Sequence, residues 1–309
     1  MYELEKAPFG QYTRYTLHHP ATRNAFSIVP ERGANLLDLT INGQHVLDGY
    51  HTPEELELAK FGKSAVLFPF PNRLDRGQYD WLGKRYQFPI NNASTENAIH
   101  GFVRNEAFEV DYIFLAKDHA SILCSLEYAG GLEYYPFPFT LQLEFMLHDS
   151  GAFSLEVVCR NNHDTAIPVG FGWHPYFQLT EKVDDHFLQL PLCEKVVAQE
   201  RMIPTGERTA FPDFLRKNRL GEADLDTCFH LQKESGAYKM LVEAKGKRLK
   251  VSANGKQFPF FQVFTPPHRN SIALEPMSCN VDAFHNGQGL VTLEPGREWK
   301  GKIGIGLEG

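Results

Sequence analysis

Hydrophobic positions along this 309-residue chain come in short runs, rich in aromatic and branched side chains, that alternate with turn-forming residues. Runs of this kind predict β-strands rather than helices. Breaks at positions 117–118, 130–131 and 149–151 separate consecutive runs, which is typical of a meander of antiparallel strands. The strands predicted for this meander are residues 108–116, 120–128, 140–147 and 153–160. We therefore predict an all-β protein.

Turn and helix signals complete this pattern. The pairs Asn42-Gly43 and Asn254-Gly255 each lie between strand-like segments and predict hairpins. A short peripheral helix is predicted near residue 53, because Thr52 can cap it, Pro53 suits its first turn and Glu55 completes a capping box. Strand signals continue to residue 305 without a repeat or a linker, so we predict one domain, residues 1–309. Its expected architecture is a sandwich of two large, mainly antiparallel sheets with a few short peripheral helices.

Composition and charge narrow the possible functions. The chain is 42% hydrophobic and 22% charged, as expected for a globular protein with a large core. Its formal net charge is −7 and it has no basic block, which argues against nucleic acid or an anionic membrane as a partner. It has no basic and apolar leader at the start and no apolar run of membrane-spanning length, so we expect a cytoplasmic protein. The five cysteines include no Cys-x-x-Cys pair and are expected to be reduced core residues.

One candidate catalytic residue is His174, within the strand-like segment 170–177. In an extended segment, Gly170, Gly172 and His174 share one face, and Trp173 lies on the other. Two glycines beside an imidazole predict an open space in front of it. The alternative is a core histidine that is hydrogen-bonded to the backbone.

A second candidate is Glu275, which lies between Leu274 and Pro276. Because Pro276 cannot donate a hydrogen bond to a neighbouring strand, we expect a strand end or an edge that opens onto a cleft. Partial burial would raise the affinity of the carboxylate for a proton and suit it to act as a general base. The alternative is an edge glutamate that only improves solubility.

Other polar groups follow aromatic or glycine-containing stretches. Asn72 and Arg73 offer fixed donors of the kind that bind hydroxyl groups, although Arg73 could instead pair with Asp75 or Asp80. His100 precedes a glycine, which permits close backbone approach or simply makes a turn.

Several other site types find no support in the sequence. His100, His174 and Glu275 have the composition of a two-histidine, one-carboxylate metal site, but the sequence lacks the His-x-His or His-x-x-x-His spacing, so we expect no metal. The glycine-rich motifs that bind phosphate are absent, and so is the Gly-x-Ser-x-Gly motif of serine hydrolases.

Seven segments, taken in their order along nearly the whole chain, resemble the aldose 1-epimerase (galactose mutarotase) family. The segments are Asn72-Arg73-Leu74-Asp75-Arg76-Gly77-Gln78-Tyr79 with Leu82-Gly83, His100-Gly101, Gly172-Trp173-His174-Pro175-Tyr176-Phe177, Leu225-Asp226-Thr227-Cys228-Phe229, Gln262-Val263-Phe264-Thr265-Pro266, Leu274-Glu275-Pro276 and Leu293-Glu294-Pro295-Gly296. The stretch at 102–108 and the residue Phe264 depart from the best-known galactose mutarotases, which leaves the preferred sugar open.

The resemblance implies a single β-supersandwich domain that interconverts the α and β anomers of a free sugar without a cofactor. By position, His174 is similar to the family's general acid, Glu275 to its general base and His100 to the second imidazole near the ring oxygen. The residues similar to those that hold sugar hydroxyls are Asn72, Arg73, Asp226 and Gln262.

The reaction implied by the resemblance fits these side chains. Glu275 as carboxylate would accept the proton of the C1 hydroxyl while His174 as imidazolium protonates the ring oxygen, and the reverse transfers would close the ring on its other face. Phe70 or Trp173 would pack on the C–H surface of the sugar. The expected partner is a small sugar, and the protein would act as a monomer or a homodimer. The alternatives are a hexose-phosphate mutarotase and a sugar-binding or glycoside-cleaving protein.

Overall fold

The computed structural model describes residues 1–233 and 235–309, and β-strands form most of its regular structure. The strands are β1 (Glu3–Phe9), β2 (Tyr12–His19), β3 (Asn24–Val29), β4 (Asn35–Ile41), β5 (Gln44–His45), β6 (Val66–Leu67), β7 (Arg73–Leu74), β8 (Gln78–Trp81), β9 (Lys84–Gln87), β10 (Ala98–Ile99), β11 (Glu109–Leu115), β12 (His119–Tyr128), β13 (Phe139–His148), β14 (Phe153–Asn161), β15 (Ile167–Val169), β16 (Gly172–Trp173), β17 (Tyr176–Phe177), β18 (Phe187–Gln189), β19 (Cys193–Ala198), β20 (Pro204–Ala210), β21 (Asn218–Arg219), β22 (Asp226–Leu231), β23 (Ala237–Ala244), β24 (Lys247–Asn254), β25 (Phe260–Phe264), β26 (Ile272–Met277), β27 (Val291–Leu293) and β28 (Glu298–Glu308).

The helices of the described residues are short. They are the α-helices α1 (Pro53–Leu58) and α2 (Ala283–Asn286) and the 3₁₀ turns Lys60–Gly62, Asp75–Gly77, Val103–Asn105 and Val183–Asp185. None of the described helices has the length and apolar character needed to cross a membrane.

Two large antiparallel sheets dominate the architecture. The nine-stranded sheet has the order β11-β12-β13-β14-β28-β24-β23-β18-β21, and the eight-stranded sheet has the order β20-β19-β22-β25-β26-β16-β6, with β17 also paired to β26. This arrangement confirms the predicted all-β sandwich. A third, five-stranded sheet, β1-β2-β3-β4-β5, was not predicted, and three two-stranded sheets complete the fold: β7 with β10, β8 with β9 and β15 with β27.

Alternation of side chains explains how the large sheets pack. Every second residue of β13 is buried and the residues between are partly exposed, so one face of this strand contacts the core and the other faces solvent. Phe153 joins three sheets: its ring lies 5.6 Å from that of Phe26 in the five-stranded sheet and 6.3 Å from that of Trp173 in the eight-stranded sheet, measured between centroids. A second contact between the large sheets joins Tyr238 and Phe261, at 6.0 Å.

The predicted meander is confirmed, because β11 to β14 follow one another as antiparallel neighbours. Each end of these strands lies within one residue of the predicted bound. The hairpin at Asn42-Gly43 is confirmed as the turn between β4 and β5. The prediction of a hairpin at Asn254-Gly255 is wrong. Strand β24 ends at Asn254, and the chain then crosses to β25 in the other large sheet, so the turn residues begin a connection between layers.

The predicted helix and the predicted buried cysteines are confirmed, but the predicted capping box is not. The hydroxyl of Thr52 accepts a hydrogen bond from the backbone N–H of Glu55 at 3.2 Å and caps α1. Glu55 does not complete the capping box with Thr52, since its carboxylate accepts from the N–H of His51. All five cysteines are buried and free, as predicted.

The position of Phe153 predicts a large stability loss on truncation. Phe153→Ala should lower the free energy of unfolding by about 3–5 kcal/mol, because it leaves a cavity where three sheets meet. Phe114→Ala, the same change at an exposed ring, should cost no more than about 0.5 kcal/mol. Urea unfolding of the two variants measures the difference, and equal losses would contradict the proposed role of Phe153.

Candidate active site

The candidate site lies on the face of the eight-stranded sheet that points away from the core. Gln262 on β25 is directly opposite Glu275 on β26, so both side chains project from the same face. Their neighbours Phe261 and Leu274 project from the other face and are buried in the core. The packing of the two large sheets therefore fixes the strands whose alternate residues form the site.

His174 and Glu275 are brought together by strand register. Gly172 pairs with Met277 and Tyr176 pairs with Ala273, and the same register sets His174 opposite Glu275. The prediction that Glu275 lies on a sheet edge is wrong, since β26 has β25 on one side and β16 and β17 on the other. Pro276 lies within β26, paired with Phe261 of β25, and the register sets it opposite Trp173, the last residue of β16.

The two side chains form a buried pair. His174 Nε2 lies 3.4 Å from Glu275 Oε1, and the side chains are 7% and 1% exposed. Glu275 Oε2 and His174 Nδ1 are buried and have no hydrogen-bond partner among the described residues. Unsatisfied buried polar atoms are costly, which is typical of groups kept for function rather than for stability.

Burial shifts the pKa values of the pair in opposite directions. Loss of hydration raises the pKa of Glu275 well above its usual value, Asp226 adds to the increase and Arg73 opposes it. Loss of hydration lowers the pKa of His174 to about 3, and the nearby charge of Arg104 contributes to the decrease. Both shifts favour the neutral forms in the empty site, in which Glu275 carries a proton and the His174 imidazole is uncharged.

His100 is oriented by Asn72. The backbone N–H of Asn72 donates to His100 Nδ1 at 3.2 Å, and the backbone N–H of His100 donates to the backbone carbonyl of Asn72 at 2.8 Å. Because Nδ1 accepts, the ring proton belongs on Nε2. Burial, with the charges of His174, Arg104 and Arg73, holds the pKa of His100 well below its usual value, so the ring is a neutral donor.

The polar side of the site is a network centred on Asp226. Arg73 donates to the Asn72 side chain at 3.0 Å, and its Nη2 lies 3.6 Å from Asp226 Oδ2. Gln262 donates to Asp226 Oδ1 at 2.5 Å. Arg73 Nε and Gln262 Oε1 are buried without a hydrogen-bond partner in the described part of the chain. The network thus offers both donors and acceptors, which is the combination that hydroxyl groups need.

The alternative pairing of Arg73 is a correction to the sequence analysis. Asp75 binds Arg201, with a nitrogen to oxygen distance of 2.7 Å, and Asp80 binds Arg85 at 2.9 Å. Neither is the partner of Arg73, which faces Asp226 across the site.

These groups line one cavity of about 240 Å³. Seven predicted side chains meet there: Asn72, Arg73, His100, His174, Asp226, Gln262 and Glu275. Four other residues line the cavity and were not predicted as site residues: Phe61, Asn92, Ile99 and Phe264. All four come from loops or strand ends and carry no local signal. Phe61 is held over the cavity because Tyr176 donates its hydroxyl proton to the Phe61 carbonyl at 2.9 Å.

The predicted aromatic contacts with a sugar need correction. Trp173 is fully buried on the core face, where its indole N–H donates to the Ser64 carbonyl. Phe70 is buried against Phe88 and Phe284. Neither lines the cavity. Alternation along the strand explains Trp173, since it follows Gly172 and precedes His174 and so takes the opposite face.

The two glycines before His174 do not leave the open space that was predicted. A Cβ atom on Gly172 would lie 2.7 Å from Pro71 Cβ, and one on Gly170 would lie 2.5 Å from Cys279 Sγ. The glycines let the segment that ends in Asn72 pack closely on the sheet. They therefore help to position Asn72 and the polar network around Asp226 instead of making room for a ligand.

Metal ligands are the remaining possibility for these side chains. Within residues 1–233 and 235–309, no group of three or more His, Cys, Asp or Glu side chains is arranged to hold a metal ion.

Comparison with known proteins identifies the family. A family model described as aldose 1-epimerase matches residues 13–306. The chain belongs to the aldose 1-epimerase family. This confirms the resemblance noted in the sequence, and membership implies an isomerase of the mutarotase type. The candidate acid, base and hydroxyl-binding residues all lie within the matched range.

Relatives and solved structures extend the comparison. Two uncharacterised proteins of Escherichia coli K12 are similar in sequence. YihR is 31% identical over 86% of this chain and 84% of its own length. YphB is 26% identical over 96% of this chain and 99% of its own length. A galactose mutarotase-like protein from Clostridium acetobutylicum superposes with a TM-score of 0.88 at 19% identity, covering 99% and 98% of the two chains. A galactose 1-epimerase from Lactobacillus acidophilus superposes with a TM-score of 0.84 at 18% identity, covering 100% of this chain and 98% of the other. This epimerase family member thus has the galactose mutarotase-like fold.

The close contact at Gly101 predicts that this position of the epimerase chain accepts only glycine. A Cβ atom there would lie 2.0 Å from the Phe68 carbonyl oxygen, and φ is +60°. Gly101→Ala should lower the free energy of unfolding by more than about 2 kcal/mol, because backbone must move as well as adopt a strained conformation. Gly83→Ala, with φ of +78° and nothing within 4 Å, isolates the strain and should cost about 1 kcal/mol. Equal losses in chemical denaturation would exclude the proposed contact.

Proposed function

We propose that the protein is an aldose 1-epimerase that interconverts the anomers of a free hexose, with Glu275 as general base and His174 as general acid. The observation that carries this proposal is the buried contact of 3.4 Å between His174 Nε2 and Glu275 Oε1 at the wall of a cavity. The C1 hydroxyl and the ring oxygen of a pyranose are bonded to the same carbon. Two groups in contact with each other can therefore reach both atoms at once.

The polar network supports a defined orientation of the sugar. Asn72, Arg73, Asp226 and Gln262 lie on one side of the cavity, where they can exchange hydrogen bonds with the hydroxyls remote from C1. His100, with its proton on Nε2, adds a neutral donor beside His174, 5.2 Å away between ring centroids. The anomeric end of the ring then faces the acid and the base.

The shared proton must lie on His174 for catalysis. In the empty site it belongs to Glu275, and in this state the carboxyl cannot accept the C1 proton. A bound sugar offers hydroxyl donors to the carboxylate, and Arg73 already favours the charged form of Glu275. We infer that sugar binding moves the proton from Glu275 to His174 without any exchange with solvent.

Ring opening and ring closing then each transfer one proton at each residue. Glu275 accepts the proton of the C1 hydroxyl, the electron pair of that O–H bond forms the aldehyde, the bond between C1 and the ring oxygen breaks, and His174 protonates that oxygen. After rotation of the aldehyde, His174 takes the proton back as the oxygen attacks the other face of C1, and Glu275 returns its proton to the new hydroxyl. No cofactor enters either step.

A hexose phosphate receives less support as the substrate. Arg73 lines the cavity and could bind a phosphate by its charge, but it is already engaged with Asn72 and Asp226. Arg76 and Arg104 are not among the lining residues. The carboxylate of Asp226 would also repel a phosphate group. A neutral hexose is therefore favoured.

Substitution of the acid and the base tests the proposal. His174→Ala and Glu275→Gln should each lower kcat/KM by about 10²- to 10⁴-fold, because each removes a proton-transfer group. Polarimetry of freshly dissolved α-glucose and α-galactose, after subtraction of the spontaneous rate, measures the loss. Matched controls are His51→Ala and Glu222→Gln, the same changes at exposed positions outside the cavity.

Three results would contradict this proposal. Wild-type protein that binds a hexose without speeding its equilibration would indicate a binding protein. Release of reducing sugar from an oligosaccharide would indicate a glycoside hydrolase, and a preference for a hexose 6-phosphate over the free hexose would indicate the phosphate-specific mutarotase.

The pKa shifts predict an unusual pH dependence. As the pH falls from about 6.5 to about 4.3, the ordinary values of His and Glu, kcat/KM should not decrease. The reason is that the pair takes up a second proton only when His174 is protonated as well, and its pKa is lowered to about 3. A loss of kcat/KM with a midpoint near 6.5 would show that His174 titrates normally.

Asp226→Asn tests the alkaline side of the same profile. Activity should be lost at high pH when Glu275 gives up the shared proton, and the charge of Asp226 helps to keep the pKa of Glu275 high. Removal of this charge lowers the pKa of Glu275, so the alkaline limb should move to lower pH. The rate at the optimum will also fall, but only the position of the limb reports on the charge.

A further inference from the structure

A second cavity, of about 180 Å³, adjoins the catalytic cavity. The two share four lining residues, Asn72, Arg73, Asp226 and Gln262. These four form the hydroxyl-binding side of the catalytic cavity, opposite the end where C1 and the ring oxygen lie. A group that extends from a bound sugar into the second cavity must therefore be attached at a hydroxyl remote from C1.

The floor of the second cavity is apolar. Val196, Cys228 and Val281 line it and belong to a small hydrophobic cluster that is separate from the main core. Burial raises the pKa of the Cys228 thiol, which is therefore neutral. Binding sites of this kind, with an apolar floor and a few polar groups at one side, suit a ligand that has both C–H surface and hydroxyls.

The charges do not favour an anionic occupant. Among the described residues that line only the second cavity, Lys195 is the cation, and it is exposed. One exposed ammonium group binds a phosphate or carboxylate weakly because it is well hydrated. Asp226 in the shared wall adds repulsion. The occupant that fits is neutral.

The outer wall of this cavity is held in place by Arg201. Ala198, Met202 and Pro204 from the β19–β20 hairpin line the cavity, and Arg201 lies at the hairpin tip. Its guanidinium lies 2.7 Å from Asp75 Oδ1 and donates to Asn97 Oδ1 at 2.9 Å. These bonds tie the hairpin to the opposite loop, so the cavity is preformed.

We propose that the second cavity is a sugar subsite and that the substrate is a neutral reducing oligosaccharide, with a disaccharide as its smallest member. The reducing-end pyranose occupies the catalytic cavity, and the next pyranose, linked through a hydroxyl remote from C1, packs on Val196, Cys228 and Val281. The second cavity has 180 Å³ against 240 Å³ for the first, comparable space for one more ring. This inference rests on the proposed epimerase function and names its substrate class.

The first experiment compares wild-type kcat/KM for glucose and galactose with the values for lactose, maltose and melibiose, whose linkages differ. Anomer exchange measured by NMR at equilibrium requires no pure anomer. At least one disaccharide should exceed the better hexose by about tenfold, because the second ring adds contacts that the first cannot make. Hexose activity with no gain for any disaccharide would overturn the subsite and leave the proposed function intact.

The second experiment fills the subsite. Ala198→Trp, at an exposed position on the cavity wall, should lower the ratio of disaccharide to hexose kcat/KM by about tenfold or more. The matched control is Ala210→Trp, an exposed position on the same hairpin that lines neither cavity. An unchanged ratio in Ala198→Trp would overturn the proposal, and so would wild-type preference for glucose 6-phosphate over every disaccharide. If the protein speeds the anomer exchange of neither hexoses nor disaccharides, the proposed function itself is excluded.

Discussion

The structure depends on one contact that would be unfavourable in an ordinary core: an imidazole and a carboxylate, both buried, face each other across two neighbouring strands. Register alone brings His174 opposite Glu275, and no loop movement is needed to assemble them. Burial raises the pKa of Glu275 and lowers that of His174, so it favours the neutral form of both groups. The rest of the fold supplies the stability that offsets this cost.

The sheet acts as a two-sided support. On one side, Phe261 and Leu274 pack into the core against the nine-stranded sheet, which fixes the backbone of β25 and β26. On the other side, Gln262 and Glu275 project into the cavity. Because alternate residues serve the core and the site, a site residue is held by the packing of its own sequence neighbours. The same support holds Glu275 on β26 and His174 between β16 and β17.

Strand pattern and chemistry could be predicted from sequence as far as they are local. The meander was recognisable because turn-forming residues separate its aromatic and branched runs, whereas the five-stranded sheet and the crossover after Asn254 depend on how layers pack. The acid and base candidates stood out as ionisable groups in apolar runs. The partner of Arg73 and the burial of Phe70 were not predictable, because they are decided by residues far away in the sequence. Trp173 could have been assigned to the core, since alternation with His174 already implied it.

The division between strands and loops in this cavity has an evolutionary consequence. Glu275 belongs to β26 and His174 lies between the adjacent short strands β16 and β17 of the same sheet, whereas Phe61, Asn92 and the tip of the β19–β20 hairpin belong to longer connections. Loops tolerate insertion and exchange far better than central strands do. Descendants of this scaffold can therefore acquire new ligand preferences by remodelling those connections while the reaction chemistry is inherited unchanged.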